Sequence, residues 1–330
     1  MRIFVAGGAG YVGSHCVRRL IAAGHEVTVY DNLSTGHRAA VDAQATFVEG
    51  DLGDAARLDE LFRGRRFDAV MHFAAFLNVG ESVAQPLLYW QNNVVNTLTL
   101  LRCMQAHGVT RFVFSSTCAV YGELVKLPIT EDQPKNPINP YGHTKLAVEW
   151  MLGHCAWAWG LGSIALRYFN AAGAAADGAI GEDHDPETHL IPLALQVALG
   201  QRANIEIYGT DYPTPDGTCI RDYVHVEDLA DAHLVAVEAC APGDAEAYNL
   251  GTGSGQSVRE IIVAAREVTG HPIPVVEVGR RPGDPPALYA DGRRATERFG
   301  WTPRYRDVGE IVQTAWSWQR SHPRGFGGCA

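Results

Sequence analysis

Residues 1–13 read Met-Arg-Ile-Phe-Val-Ala-Gly-Gly-Ala-Gly-Tyr-Val-Gly, and they limit what this chain can fold into more than any other stretch. Ile3 to Ala6 is a short apolar run of the kind that forms a strand buried on both faces. It leads into glycines, and a helix-compatible segment, Val17 to Ala23, follows. Strand, glycine turn and helix N-terminus together make a cradle for a pyrophosphate. The glycines let the backbone turn tightly and approach the phosphates, while free N–H groups and the helix dipole favour negative charge. Two spacings fit: Gly8-x-Gly10-x-x-Gly13 and the wider Gly7-x-x-Gly10-x-x-Gly13. A glycine pattern alone is weak, because any tight strand-to-helix turn can use glycine. Here the next strand, Glu26 to Tyr30, ends in Asp31, near the ~20-residue offset at which an acid meets the adenosine ribose hydroxyls. That carboxylate repels a ribose phosphate, so NAD is expected rather than NADP.

The rest of the first half alternates strands and helices. Strand-like segments are Thr46 to Glu49, Ala69 to Phe73, Arg111 to Ser115 and Ser163 to Phe169. Helical segments are Ala55 to Arg63, a long one from Pro86 to Ala106, and a second long one from Tyr141 to Trp159, stopped by Gly160 and Gly162. Such alternation predicts an α/β fold: a doubly wound, Rossmann-type parallel sheet with helices on both faces. After Asn170 the rhythm breaks. Ala171 to Thr188 reads as loop, His189 to Gly200 as helix, Ile205 to Tyr208 as strand, Arg221 to Val226 as one strand and Asp228 to Ala239 as helix. Proline-rich turns lie at Pro213 to Pro215 and Pro282 to Pro286, and the tail from Ser321 to Ala330 is expected to be loosely held. At 330 residues, two domains of ~150 residues are expected. The division read here is 1–170 with a return segment near 219–251 for the cofactor, and 171–218 with 252–330 for a smaller, discontinuous substrate domain.

Two residue groups carry chemistry. Tyr141-Gly142-His143-Thr144-Lys145 places a tyrosine and a lysine on one face of a helix start, behind Pro140. A lysine ammonium and an oxidised nicotinamide can together draw a phenol down from ~10 towards neutral pH. The pair alone would more often be a surface feature; one strand after Ser115-Ser116-Thr117, in a chain with a dinucleotide cradle, it reads as catalytic. The Thr117 hydroxyl, just past a strand's carboxyl end, can hold a substrate hydroxyl and pass a proton towards Tyr141, although strand-end hydroxyls often only cap a turn. His72 reads as a structural histidine, and His143 points off the Tyr141–Lys145 face. No His, Cys or Asp cluster shows metal-ligand spacing, so no metal is expected.

Taken together these motifs make the chain similar to the extended short-chain dehydrogenase/reductases, and among them to those that epimerise UDP-hexoses at C4. The likeness runs nearly end to end, through Gly7–Gly13, Asp31–Ser34, Glu49–Asp51, His72–Ala75, Val79–Ser82, Asn92-Asn93, Phe114–Gly122, Tyr141–Lys145, Arg167–Asn170, Arg221–Tyr223, Tyr248–Gly251 and Arg281–Asp284. The resemblance implies that Tyr141 is the catalytic base, Lys145 its partner and Thr117 the hydroxyl residue, serine in many members. It implies NAD contacts from Gly7, Gly10, Tyr11, Val12, Gly13, Asp31, Asn32, Leu33, Ser34, Asp51, Leu52, Phe73, Ala74, Ala75, Asn92, Tyr141, Lys145 and Phe169. For the UDP-sugar it implies Thr117, Asn170, Leu190, Tyr208, Arg221, Arg281, Asp284 and, bordering the sugar, Leu288, for which the alternative reading is a core residue. Leu77 departs from the pattern, standing where many members have lysine.

The resemblance implies reversible inversion at C4 of a UDP-hexose through a transient 4-keto sugar. A 4,6-dehydratase, a decarboxylase or an epimerase of N-acetylated or pentose substrates is the nearest alternative, and a cofactor-sensing binding protein the alternative from another class. Dehydratases place acids directly after the threonine, where this chain has Cys118 and Ala119. A net charge of -10 argues against nucleic acid or anionic membranes as partners. Seven scattered cysteines without a C-x-x-C pair suit reduced thiols, so a cytoplasmic protein is expected. Its two long helices suggest a homodimer, as in the family.

Overall fold

The computed structural model describes residues 1–122, 126–281 and 284–328. The first half runs β1 (Arg2–Ala6), α1 (Tyr11–Ala22), β2 (Glu26–Asp31), β3 (Thr46–Glu49), α2 (Ala55–Gly64), β4 (Ala69–His72), α3 (Val79–Ala84), α4 (Pro86–Tyr89), α5 (Asn96–Ala106), β5 (Arg111–Thr117), α6 (Pro140–Trp159) and β6 (Gly162–Tyr168). The second half runs β7 (Asn170–Ala172), α7 (Leu190–Ala198), β8 (Ile205–Tyr208), β9 (Ile220–Arg221), β10 (Tyr223–His225), α8 (Val226–Ala239), β11 (Ala245–Asn249), β12 (Gln256–Ser257), α9 (Val258–Thr269), β13 (Val275–Val278), β14 (Ala287–Leu288), α10 (Arg293–Phe299) and α11 (Val308–Ser321).

Seven strands form one parallel sheet in the order β11-β6-β5-β4-β1-β2-β3. The apolar run of β1 explains its central place. Ile3 and Val5 face a core built with α1 and α8, while Phe4 and Ala6 face the opposite core with Leu58, Leu100, Phe112 and Leu152. Every side chain of the run is buried, as period-2 alternation between two covered faces requires. After β3 the chain crosses back to β4 on the other side of β1. This reversal opens a crevice at the carboxyl ends of β1 and β4, where ligands bind in doubly wound sheets. A third core, with Leu195, Ile205, Ile207, Ile261, Ile311 and Trp316, lies among α7, α9, α11 and the short pair β8–β13.

Four local readings need correction. Helix α1 begins at Tyr11, well before Val17, because the glycine turn is itself the first turn's N-cap. The long helix from Pro86 is interrupted by a π turn at Trp90–Val95, and α3 precedes it. Arg221 to Val226 is not one strand. Asp222 breaks it, its buried carboxylate accepting the Ala290 N–H, the Thr252 N–H and the Thr252 hydroxyl, so β9 and β10 join different sheets. The tail is held as far as Gly328: the Phe326 N–H donates to Asp183 and its ring packs on Ala40, Ala175 and Ile180. Pro282 and Gly283, within the Arg281–Asp284 motif, and Cys329, one of the seven scattered cysteines, lie outside the described residues.

Candidate active site

The glycine cradle sits at the crevice between β1 and β4. Gly7 has φ +78°, and a Cβ there would lie 2.4 Å from the Ala74 nitrogen; one on Gly13 would lie 2.1 Å from the Gly7 carbonyl oxygen. Gly7, Gly10 and Gly13 all face a cavity of about 460 Å³, whereas Gly8 packs beneath Val29 and does not. The wider spacing is therefore the one that shapes the turn. Gly10 caps α1 without a side-chain acceptor, so first-turn N–H groups remain free for a phosphate. Asp31 ends β2 at the cavity wall, its carboxylate accepting the Ala9 and Leu33 N–H groups at 2.9 Å each. Burial raises its pKa and those two donors counter the rise.

Asn32 donates to Asp51 at 2.7 Å, and Tyr11, Val12, Ser34, Leu52, Phe73, Ala74, Ala75, Asn92 and Phe169 line the same cavity. Leu33 does not. It takes φ +58° and turns its side chain onto the sheet core, leaving only its backbone beside Asp31. Asn92 sits on the π turn, a local widening that re-aims side chains and recurs at functional sites. Its neighbour Asn93 accepts the Phe76 N–H, donates to the Phe76 carbonyl and donates to the Thr144 hydroxyl at 3.2 Å. One buried amide thus ties the loop after β4 to helix α6.

Thr117, Tyr141 and Lys145 meet at this cavity's far end. Thr117 is the last residue of β5, and Tyr141 stands in the first turn of α6, where Pro140 opens the helix and Asn139 accepts the Gly142 N–H. One turn later Lys145 is 3% exposed, donates to the Ser115 carbonyl at 2.8 Å and lies 6.0 Å from the Tyr141 ring centre. Desolvation pushes this lysine down to about 7, against the opposing pull of Glu149. Burial pushes the Tyr141 phenol up to about 12, and hydrogen bonding to the facing Thr117 hydroxyl offsets part of the rise. Without a bound cofactor the protein's own groups leave the phenol high. Lys145 is itself desolvated and set back from the oxygen, so the lowering depends on the positive nicotinamide that a bound NAD supplies.

A second cavity, of about 250 Å³, adjoins the first and shares Asn170, Ala171, Glu182, His189, Arg221 and Asp284 with it. Leu190, Tyr208 and Arg281 line it. The Arg281 guanidinium stacks 3.8 Å over the Tyr208 ring, and Arg221 reaches Asp284 at 3.3 Å while donating to the carbonyls of Ile220 and Pro285. Leu288 borders the first cavity and also packs towards Cys118, Tyr121 and Leu146, so it serves both readings. Leu77 lines the first cavity and is 47% exposed, an apolar side chain at the place where a cation was looked for. His72 is buried with Nε2 2.8 Å from the Thr97 hydroxyl, and burial lowers it to about 3, so it stays neutral. His143 is exposed, its ring held to the Asn139 carbonyl.

Sequence reading missed several cavity residues. Asn96, one helical turn after Asn92, reaches Asp51 at 3.4 Å, a periodicity that was there to be read. The loop before α7 was read as featureless and without ligand spacing, yet Glu182, His184, Glu187 and His189 bring four donor atoms within 4.8 Å of one another. The carboxylates oppose burial and hold both imidazoles up, His184 to about 9 and His189 to about 10. Glu-x-His-x-x-Glu-x-His was the available signal; attention to histidine and cysteine pairs alone passed over it.

A family model described as "NAD dependent epimerase/dehydratase family" matches residues 3–251. The UDP-glucose 4-epimerase of Lacticaseibacillus casei is 51% identical to the chain, covering 99% of each. A solved UDP-glucose 4-epimerase from Brucella ovis, in complex with NAD, superposes with a TM-score of 0.92 at 51% identity, covering 96% of this chain and 97% of that one. One from Bifidobacterium longum, in complex with NAD+ and UDP, gives 0.94 at 38% identity, covering 99% and 100%.

Proposed function

The chain belongs to the NAD dependent epimerase/dehydratase family, and from that premise we propose that it is an isomerase inverting C4 of a UDP-hexose, interconverting UDP-glucose and UDP-galactose with NAD as cofactor. The observation that carries the proposal is one continuous cavity leading from the glycine cradle, past Thr117 and Tyr141, to Arg221 and Asp284. Each half of the reaction has its residues there. Tyr141 takes the proton of the sugar's 4-hydroxyl, and Thr117 holds that hydroxyl and shares the proton. Lys145 sets the electrostatics beneath them. When bound, NAD accepts the C4 hydride and gives it back. Arg221, Arg281, Asn170 and Asp284 grip the UDP, arginines for phosphate and the amide and carboxylate for uridine and ribose. The sugar, held less tightly, turns and presents its other face.

Cys118 and Ala119 argue against a dehydratase: Cys118 is buried and its thiol is pushed far up, so no acid stands ready to eliminate water. The test is to give the purified protein UDP-galactose without added NAD and identify the product. UDP-glucose, with NAD recovered from the denatured protein, is expected; a persistent 4-keto-6-deoxy sugar would point to a dehydratase, and recovery mainly of NADP would sink the argument from Asp31.

Leu288 is the proposed gate for an N-acetyl group at C2 of the sugar. Leucine leaves more space than a tyrosine and less than a serine, so weaker but measurable activity on UDP-N-acetylglucosamine is expected. Leu288→Tyr should lower kcat/KM for that substrate relative to UDP-glucose by ~10-fold, within the range of a steric pocket change, and Leu288→Ser should raise it. An unchanged ratio in all three proteins removes Leu288 from the specificity.

The finer readings are a cytoplasmic homodimer and the domain division at 170/171, 218/219 and 251/252. Leu87, Trp90, Val95, Trp150 and Trp157 expose apolar surface on the helical segment from Pro86 and on α6, which supports pairing of these helices across a two-fold axis. Among the described residues no helix is long and apolar enough to cross a membrane. Sedimentation should give twice the chain mass of 35.8 kDa; a monomer contradicts the pairing.

A further inference from the structure

The loop before α7 folds back so that two histidines and two glutamates face one point. The Nδ1 of His189 lies 2.9 Å from Glu182 Oε1 and 3.0 Å from Glu187 Oε1; the Nδ1 of His184 lies 3.3 Å from Glu182 Oε1 and 3.7 Å from Glu187 Oε2. Bonds of ~2.0–2.1 Å to a tetrahedral zinc ion put neighbouring ligand atoms ~3.3 Å apart, and one donor atom from each of the four residues lies within 4.8 Å of the other three. The orientation of His184 is the more telling feature. Its Nδ1 is buried and close to both carboxylates, yet aligned for a hydrogen bond with neither. A donor in an ordinary ion pair hydrogen-bonds an oxygen; this buried nitrogen is left without a hydrogen-bond partner beside two carboxylates. Glu187 is held in place by the Thr188 and His189 N–H groups, each 2.7 Å from Oε1, the outer support usual behind a ligating carboxylate. Glu182 is buried in the wall itself.

We propose that Glu182, His184, Glu187 and His189 form a structural binding site for one divalent ion of the zinc class. Two carboxylates need two positive charges. Two protons on the imidazoles or one divalent ion with neutral imidazoles would each balance them, and the unpartnered Nδ1 of His184 fits the ion. Four protein donors fill a tetrahedral shell and leave no open position, so the ion clamps structure and takes no part in the chemistry. What it clamps matters to the site. Glu182, His184 and His189 line the main cavity, and Glu182 and His189 also line the second, so the ion would pin the wall that both cavities share. The donor set does not depend on which sugar nucleotide the enzyme takes.

The test is titration of the purified, chelator-treated holoprotein with Co²⁺ and Zn²⁺. Co²⁺ should be taken up at about one equivalent with the intense visible bands of tetrahedral coordination, Zn²⁺ should displace it, and Zn²⁺ should raise the Tm. Glu187→Gln, which keeps the size and one oxygen, and His184→Ala should each weaken uptake at least ~10–100-fold, the range for losing even an outer partner of a metal site. Circular dichroism of both variants confirms that they fold, and the wild-type titration stands whether or not they do. Absence of stoichiometric uptake by the wild type, octahedral rather than tetrahedral Co²⁺ bands, or uptake unchanged in folded variants would overturn the site and leave the four groups as paired ions. Epimerase activity is not the readout, so failure here and failure of the proposed reaction are separate results.

Discussion

Tyr141→Phe should reduce kcat by ~10²–10⁴-fold, the usual loss on removing a positioned acid/base, and leave NAD and UDP affinity within a few-fold of wild type. The substitution removes only the phenol oxygen; the ring, the helix start capped by Asn139 and the cavity wall stay. On the proposed reading neither ligand takes its main grip from that oxygen: the pyrophosphate would lie on the turn from Gly7 to Gly13 and the UDP in the cavity around Arg221. Turnover within a few-fold of wild type, measured from either UDP-hexose, would take Tyr141 out of the mechanism.

Glu149→Ala should destabilise the protein by ~3–5 kcal/mol, the cost of leaving a buried charge without its partner. Glu149 and Arg167 have side chains 9% and 5% exposed, joined by two guanidinium contacts, and Ser116 donates to the same carboxylate at 2.6 Å. Arg167 also donates to the Tyr121 hydroxyl, which bonds Asn249, so the pair links β5, β6, α6 and the end of β11 beneath the catalytic residues. The Glu149 carboxylate is also what supports the charge on Lys145, so its loss should move that lysine further below its normal value. Urea denaturation of Glu149→Ala and of the double variant Glu149→Ala/Arg167→Met measures the effect, the second regaining part of the loss. A single-variant cost below ~1 kcal/mol would mean the pair is screened as a surface ion pair is.

What could be read from the sequence was what is local. The apolar run of β1 runs into glycines within one turn, and its burial on two faces follows from that run alone. Asp31 closes the next strand at the offset a ribose needs, and the Tyr141–Lys145 spacing puts both on one helix face. What escaped reading depends on contacts distant in sequence. The break at Asp222 is set by Thr252 and Ala290, and the role of Asn93 by Phe76 and Thr144, in other elements. The four-residue cluster before α7 needs a loop folded back on itself, which no periodicity announces. Spacing placed Lys145 near Tyr141, but not how deeply the ammonium is buried, and that burial lowers the lysine to about 7.

The central claim is that the C4 hydrogen leaves as hydride and returns to the same carbon without meeting water. UDP-galactose carrying deuterium at C4, incubated in ordinary water with the protein as purified and no added NAD, tests it directly by NMR of the product. The expected product is UDP-glucose with deuterium still at C4, at no loss beyond that of the starting material. Deuterium exchanged into solvent, or a product formed only when NAD is supplied at the concentration of the substrate, would contradict it.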